Sequence, residues 1–187
     1  STTVRVAVID TGVDLTHPDL VGLIAYERGF GGNSNGDAQR DRRGGDSIDH
    51  GTHVAGIAAA IRNNNRGVAG IATANIMAMG CSSWNVGAGA YYICCAADAI
   101  NDAVANGADA INCSFANGGL DDATRSALDN AKNHEVVVVC AAGNDGKNVD
   151  NSPFAGWNQH DWPLIVSNTR NDATLNGTSN FGSAIDL

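Results

Sequence analysis

The sequence predicts an α/β protein built on a doubly wound, mostly parallel sheet with helices on both faces. Three observations carry this. Apolar runs of strand length alternate with stretches of helical period. Several of these runs are apolar at every position, as strands covered on both faces must be. Gly, Asn and Asp clusters fall between the segments and end them. With 187 residues there is enough chain for one core and too little for two. No internal repeat or change of composition marks a boundary, so a single domain over residues 1–187 is expected.

The elements follow in order. Residues 4–9 read as a buried strand, stopped by Asp10-Thr11-Gly12. Residues 27–49 are rich in Gly, Asn and Asp and read as a long surface loop. Residues 51–61 are apolar and Ala-rich at helical spacing, and Asn63-Asn64-Asn65-Arg66-Gly67 breaks that helix. Residues 75–79 form a strand. Residues 91–106 repeat apolar positions at helical period, with Gly107 as the stop. Residues 110–115 form a strand. Residues 121–133 form a helix whose early Asp121 and Asp122 suit the positive end of the helix dipole. Residues 136–142 and 164–167 complete the strands.

Composition excludes several functions. The net charge is −9, which argues against a nucleic-acid partner, since phosphates need a basic surface. Arg40, Arg42 and Arg43 are the one dense basic cluster, and Asp37, Asp41 and Asp46 dilute it. No apolar run reaches the roughly 18 residues of a membrane helix, and no signal-peptide pattern opens the chain. Five cysteines leave at least one thiol free. Cys113 and Cys140 sit in apolar strand-like runs and read as small buried hydrophobes.

In an open parallel sheet, sites lie beyond the carboxyl ends of the strands. The first strand ends on Asp10. A carboxylate there can bind a ribose, ligate a metal, orient a histidine or simply close an Asx-turn. No GxGxxG follows, which disfavours a dinucleotide fold, and no organic cofactor is expected. His50-Gly51-Thr52-His53-Val54-Ala55-Gly56 opens the next helix. A neutral imidazole at a helix entrance can act as a general base. His53 reads as a satisfied core or supporting histidine. A zinc site on His50 and His53 lacks the HExxH glutamate and a third ligand. The strand over 136–142 delivers Gly143-Asn144-Asp145-Gly146. A rigidly held Asn amide can stabilise a developing oxyanion, although Asn is also common in ordinary turns.

Taken together and in this order, the three blocks closely resemble the subtilisin-like serine protease family. Val8-Ile9-Asp10-Thr11-Gly12-Val13-Asp14 resembles its acid block, His50-Gly51-Thr52-His53-Val54-Ala55-Gly56-Ile57 its base block, and Ala141-Ala142-Gly143-Asn144-Asp145-Gly146 its oxyanion block. His17-Pro18-Asp19-Leu20 and residues 64–71 match intervening segments. The resemblance implies a subtilisin-like fold and a serine endopeptidase acting on polypeptides. Asp10 would orient the imidazole, His50 would be general base and then general acid, and Asn144 would donate to the oxyanion. Ser114, Phe115 and Ala116 match a substrate-lining strand, although the family usually has Gly where Ala116 stands. Ala142 and Gly143 would wall the main specificity pocket, and the opposite strand would lie near residues 81–89. The family also implies a structural Ca²⁺, held by the side chains of Asp19 and Asn64 and by carbonyls at Arg62, Arg66 and Val68. Its N-terminal ligand has no counterpart here. Secretion is the family's usual fate, while the free thiols pull the other way.

The nucleophile is the departure. Gly177-Thr178-Ser179 imitates part of the family's serine block, but Asn180-Phe181-Gly182-Ser183 follows instead of a helix-forming apolar run. Ser179 also comes sooner after Asn144 than the family's spacing allows. Residues 176–187 better match a stretch upstream of the serine. Cys140 is a poorer substitute, because an apolar strand disfavours a thiolate. The expected reading is an active endopeptidase domain shortened at both ends, partnered by a propeptide or the missing C-terminal segment. The alternatives are a catalytically dead peptide-binding domain and a purely structural one.

Overall fold

The computed structural model describes residues 3–32, 49–116, 119–151 and 156–187. Its centre is a six-stranded sheet in the order β2-β3-β1-β6-β7-β8. The strands are β1 (Arg5–Asp10), β2 (Ile24–Gly29), β3 (Asn75–Gly80), β6 (Ala110–Cys113), β7 (Val137–Ala141) and β8 (Leu164–Val166). All their pairings are parallel. A separate antiparallel hairpin joins β4 (Ser82–Asn85) to β5 (Ala90–Ile93). The expected doubly wound sheet is therefore present, with β1 at the point where strand order reverses.

Alternation along the strands sorts the apolar side chains into two cores. Ala7, Ile9, Met77, Met79 and Ile111 face α2 (Ala96–Ala105) and α3 (Asp122–Asn133), where Ile100, Ala103, Leu128 and Ala131 meet them. Val8, Ile76 and Ala78 face the other way, toward Ala55 and Ala59 of α1 (His50–Ala59) and toward Leu20. Each fully buried Ile, Leu or Met contributes about 1.5–3 kcal/mol relative to exposure. The buried stripe of α1 is Gly51, Ala55, Gly56 and Ala59, so small residues let this helix lie close on the sheet. Asp121 caps α3, its carboxylate accepting from Thr124 N at 2.7 Å.

Two expectations are corrected. The loop placed over residues 27–49 begins later, because β2 runs on to Gly29. That strand alternates half-buried and exposed positions at an edge, and its polar ends suggested a loop. Tyr26 and Arg28 secure it by bonding Asp102 of α2. The rest of that stretch, with the Arg40, Arg42 and Arg43 cluster, lies outside the described residues. The helix placed over 91–106 starts only at Ala96. The Asn85 side chain closes a turn by accepting from Gly87 N and Ala88 N, which folds residues 90–93 back as a strand. Aromatic and β-branched residues there fit a pleat better than a helix. Among the described residues, no helix is long and apolar enough to cross a membrane.

Candidate active site

Asp10 ends β1 and His50 begins α1, so the sheet edge and the helix entrance decide whether they meet. They do: His50 Nδ1 lies 2.8 Å from Asp10 Oδ1. A carboxylate can only accept, so Nδ1 carries the proton and Nε2 is left with its lone pair. The approach depends on Gly51. A Cβ there would lie 2.1 Å from Gly12 O and 3.0 Å from Asp10 Cβ. Gly51 N also donates to Thr11 Oγ1 at 3.1 Å, and Asp14 N donates to Thr52 Oγ1 at 2.8 Å, which stitches the first turn of α1 to the end of β1.

The pair is electrostatically unequal. The Asp10 side chain is 2% exposed and that of His50 is 51% exposed. Thr11 N donates to Asp10 Oδ1 at 2.7 Å. Asp10 Oδ2 is buried without a hydrogen-bond partner among the described residues. A buried carboxylate with one oxygen unpaired favours a positive neighbour. The hydrogen bond to Asp10 raises the His50 pKa above its ordinary value, against the opposing effect of desolvation.

β7 delivers the third predicted residue, Asn144, just past the sheet edge. Asn144 is exposed, and its side chain has no hydrogen-bond partner among the described residues. It lines a groove of about 270 Å³ with Ser114, Ala142 and Gly143. The sequence did not single out what supports this turn. Asn180 Oδ1 accepts from Asp145 N and Lys147 N, each at 3.0 Å. Asn180 Nδ2 donates to Ala142 O at 2.9 Å, and Asn180 N to Gly143 O at 2.9 Å. The only sequence signal for this role was a polar residue beside a Gly-Thr-Ser whose hydroxyl drew attention instead.

Ser179 itself is 2% exposed. Its hydroxyl accepts from Asn168 N at 2.9 Å and donates to Asn180 O at 3.1 Å. Among the described residues, no serine hydroxyl is hydrogen-bonded to His50.

The predicted substrate strand leaves the sheet after Cys113. The Phe115 ring packs edge-on against Trp157, with centroids 5.5 Å apart, and Phe115 O accepts from Trp157 Nε1 at 3.0 Å. Phe115 therefore faces inward. Ser114 is half-buried and Ala116 is exposed on either side of it. A second groove, of about 510 Å³, lies between Phe115–Ala116 and residues 92–96. The expected opposite strand, residues 81–89, falls on β4 and the turn that follows it.

The predicted calcium ligands gather at one loop. Asp19 is buried, and the segment over 62–68 wraps it. Its Oδ1 accepts from Asn64 Nδ2 at 2.5 Å and its Oδ2 from Val68 N at 3.0 Å, which together hold its carboxyl below the usual range. Asn64 Oδ1 accepts from Arg66 N at 3.0 Å. Among the described residues, no backbone donor bonds the carbonyls of Arg62, Arg66 or Val68. As placed, Asn64 turns its NH2 toward Asp19 and its oxygen toward Arg66 N, so a cation held by this set would need the amide to turn over. His53 is exposed rather than a core histidine. Among the described residues no group of three or more His, Cys, Asp or Glu could hold a metal. Cys113 and Cys140 are buried, and all five thiols are free.

The profile of the subtilase family, peptidase S8, matches residues 1–187. The chain is 34% identical to thermitase of Thermoactinomyces vulgaris over 98% of its own length and 61% of that protein's. It is 39% identical to the major intracellular serine protease of Bacillus subtilis over 76% of its own length and 43% of that protein's. It therefore spans less than two thirds of either relative. Among solved structures, a protease from Pseudoalteromonas arctica superposes with a TM-score of 0.77 at 28% identity, covering 98% of this chain and 61% of that one.

Proposed function

This chain belongs to the subtilase family of peptidases, and from that premise we propose that the protein is a serine endopeptidase in which Asp10, His50 and Asn144 handle the charge. The observation that carries the reading is the 2.8 Å contact between the buried Asp10 carboxylate and His50 Nδ1. It fixes the tautomer and leaves Nε2 able to take the proton of an attacking serine hydroxyl. Asp10 then stabilises the imidazolium, which afterwards returns the proton to the leaving amine. The unpaired amide of Asn144 donates to the oxyanion of the tetrahedral intermediate. The peptide pairs as an extended strand with the backbone of Ser114 and Ala116, and its side chain enters beside Ala142 and Gly143. Ser179, buried and bonded on both sides, serves the architecture and not the attack.

Calcium belongs to the same proposal as a structural ligand of Asp19, Asn64 and the carbonyls of Arg62, Arg66 and Val68. Secretion is likewise proposed, with a relative named as intracellular marking the alternative. Labelling of the full-length protein by a fluorophosphonate tests the peptidase reading. The label should attach to a serine other than Ser179, and His50→Ala should slow labelling by at least about a hundredfold. A full-length protein that takes no label and cleaves no peptide would sink the reading.

A further inference from the structure

Neighbouring residues of an extended strand point to opposite sides, so consecutive cysteines do not ordinarily present their thiols together. Cys94 and Cys95 do. β5 ends at Ile93, and Cys95 adopts a left-handed conformation (φ 56°, ψ 29°) at the entrance of α2. Few residues with a Cβ take that conformation, and where one does the backbone is worth reading for function. The turn brings both sulfurs to one point. A Cβ built on Gly31 would lie 2.4 Å from Cys94 Sγ and 3.4 Å from Cys95 Sγ, so bare backbone floors the pair. Ser83 Oγ lies 3.3 Å from Cys94 Sγ and is itself held by Gly32 N at 2.9 Å.

The pair is open to solvent on one side. Cys95 is exposed and Cys94 half-buried, and both line the groove that Phe115 and Ala116 border. The third thiol nearby, Cys81, is buried and bonds Cys94 O, so it supports the backbone beneath the pair. Cys113 and Cys140 face each other in register across β6 and β7, but both are buried.

We propose that Cys94 and Cys95 form a two-thiol capture site for a thiophilic ligand of the trivalent arsenical class. An arsenoxide, R–As=O, condenses with both thiols. Two As–S bonds form, the As=O bond breaks, and the oxygen leaves as water with the two thiol protons, so nothing is oxidised or reduced. The second thiol acts intramolecularly at high effective concentration, which separates a pair from a lone cysteine. Partial desolvation of its sulfur, and then the adjacent Cys94 thiol, push Cys95 up to about 11. A thiol kept protonated is a slow nucleophile toward peroxides and disulfides, and condensation uses its proton.

The test is phenylarsine oxide on the full-length protein, read by intact mass. One adduct per chain should survive a monothiol wash and leave in a dithiol wash. It should vanish in Cys94→Ser and in Cys95→Ser and persist in Cys81→Ser. Peptide mapping of the native adduct gives an answer that needs no variant: the peptide carrying both cysteines should hold the arsenic. No dithiol-reversible adduct on the native protein, or its survival in either Cys94→Ser or Cys95→Ser, overturns the proposal. One consequence rests on the peptidase reading: the captured group occupies the substrate groove and slows peptide cleavage until a dithiol removes it. Capture by a protein that never cleaves peptides would defeat that reading and leave the thiol site standing.

Discussion

Asn180 occupies the space that a side chain at Gly143 would need: a Cβ there would lie 2.5 Å from Asn180 Nδ2. The same amide bonds the backbone on both sides of Asn144. The glycine and the asparagine are thus one device that sets the Asn144 turn.

Gly143→Ala is expected to destabilise the protein by about 1–3 kcal/mol, since Gly143 sits at φ 100° and its neighbour cannot retreat without breaking bonds. Asn180→Ala should cost a similar amount by removing the acceptor of the Asp145 and Lys147 amides and the donor to Ala142 O. The double variant should lose less than the sum, because each change relieves part of the other's conflict. Denaturant unfolding of all four proteins measures the coupling, and strict additivity would refute it.

The pH dependence follows from His50, whose pKa the bond to Asp10 raises. General-base action needs the neutral ring, so cleavage should rise with pH through a midpoint above the ordinary histidine value of about 6.5. Asp10→Asn should move that midpoint down and lower the plateau. Stability has the opposite sign. A raised folded-state pKa contributes stability that is complete below the unfolded value and fades as pH rises through the folded one. Unfolding at about pH 5.5 and about pH 8.5 should show this loss in the native protein and a smaller one in Asp10→Asn. A cleavage midpoint that Asp10→Asn leaves in place would contradict the dyad.

Ser179→Ala separates architecture from attack. Losing the bonds to Asn168 N and Asn180 O should cost about 0.5–1.5 kcal/mol each. Peptide cleavage by the full-length protein should survive. Complete loss of cleavage with an intact fold would make Ser179 the nucleophile after all.

Calcium should raise the melting temperature of the full-length protein, and a chelator should lower it. Turning the Asn64 amide over gives up its bonds to Asp19 and Arg66, about 0.5–1.5 kcal/mol each. The site should therefore be of moderate affinity. Asp19→Asn should abolish the calcium response, and a native protein indifferent to calcium would remove the ion from the proposal.

Much of the fold was legible because buried strands advertise themselves. The runs around Val8 and Val138 are apolar at consecutive positions and bury both of those valines, although Val137 in the second is exposed. The edges were not legible. β2 is held by Tyr26 and Arg28 reaching Asp102, a partner in a helix far along the chain. The hairpin before α2 rests on one Asn85 side chain and on the pairing it permits. Short elements draw their stability from such distant contacts, which local periodicity does not encode. At the site, Asp10, His50 and Asn144 could be picked out by their positions after strands and at a helix start, whereas Asn180 could not.

By itself the sequence determined which residues could handle protons and charge, and that apolar strands would carry them to one edge of a sheet. Tertiary structure alone decided which of them meet. Gly51 admits α1 against Gly12 so that His50 reaches Asp10, and Asn180 clamps the Asn144 turn from the far end of the chain. It also turned the Ser179 hydroxyl into a buried brace and aimed two adjacent thiols at one point. The physical reason is the same in each case. A hydrogen bond or a close backbone approach depends on ångström-scale placement of groups distant in sequence, and only the packed fold sets that distance.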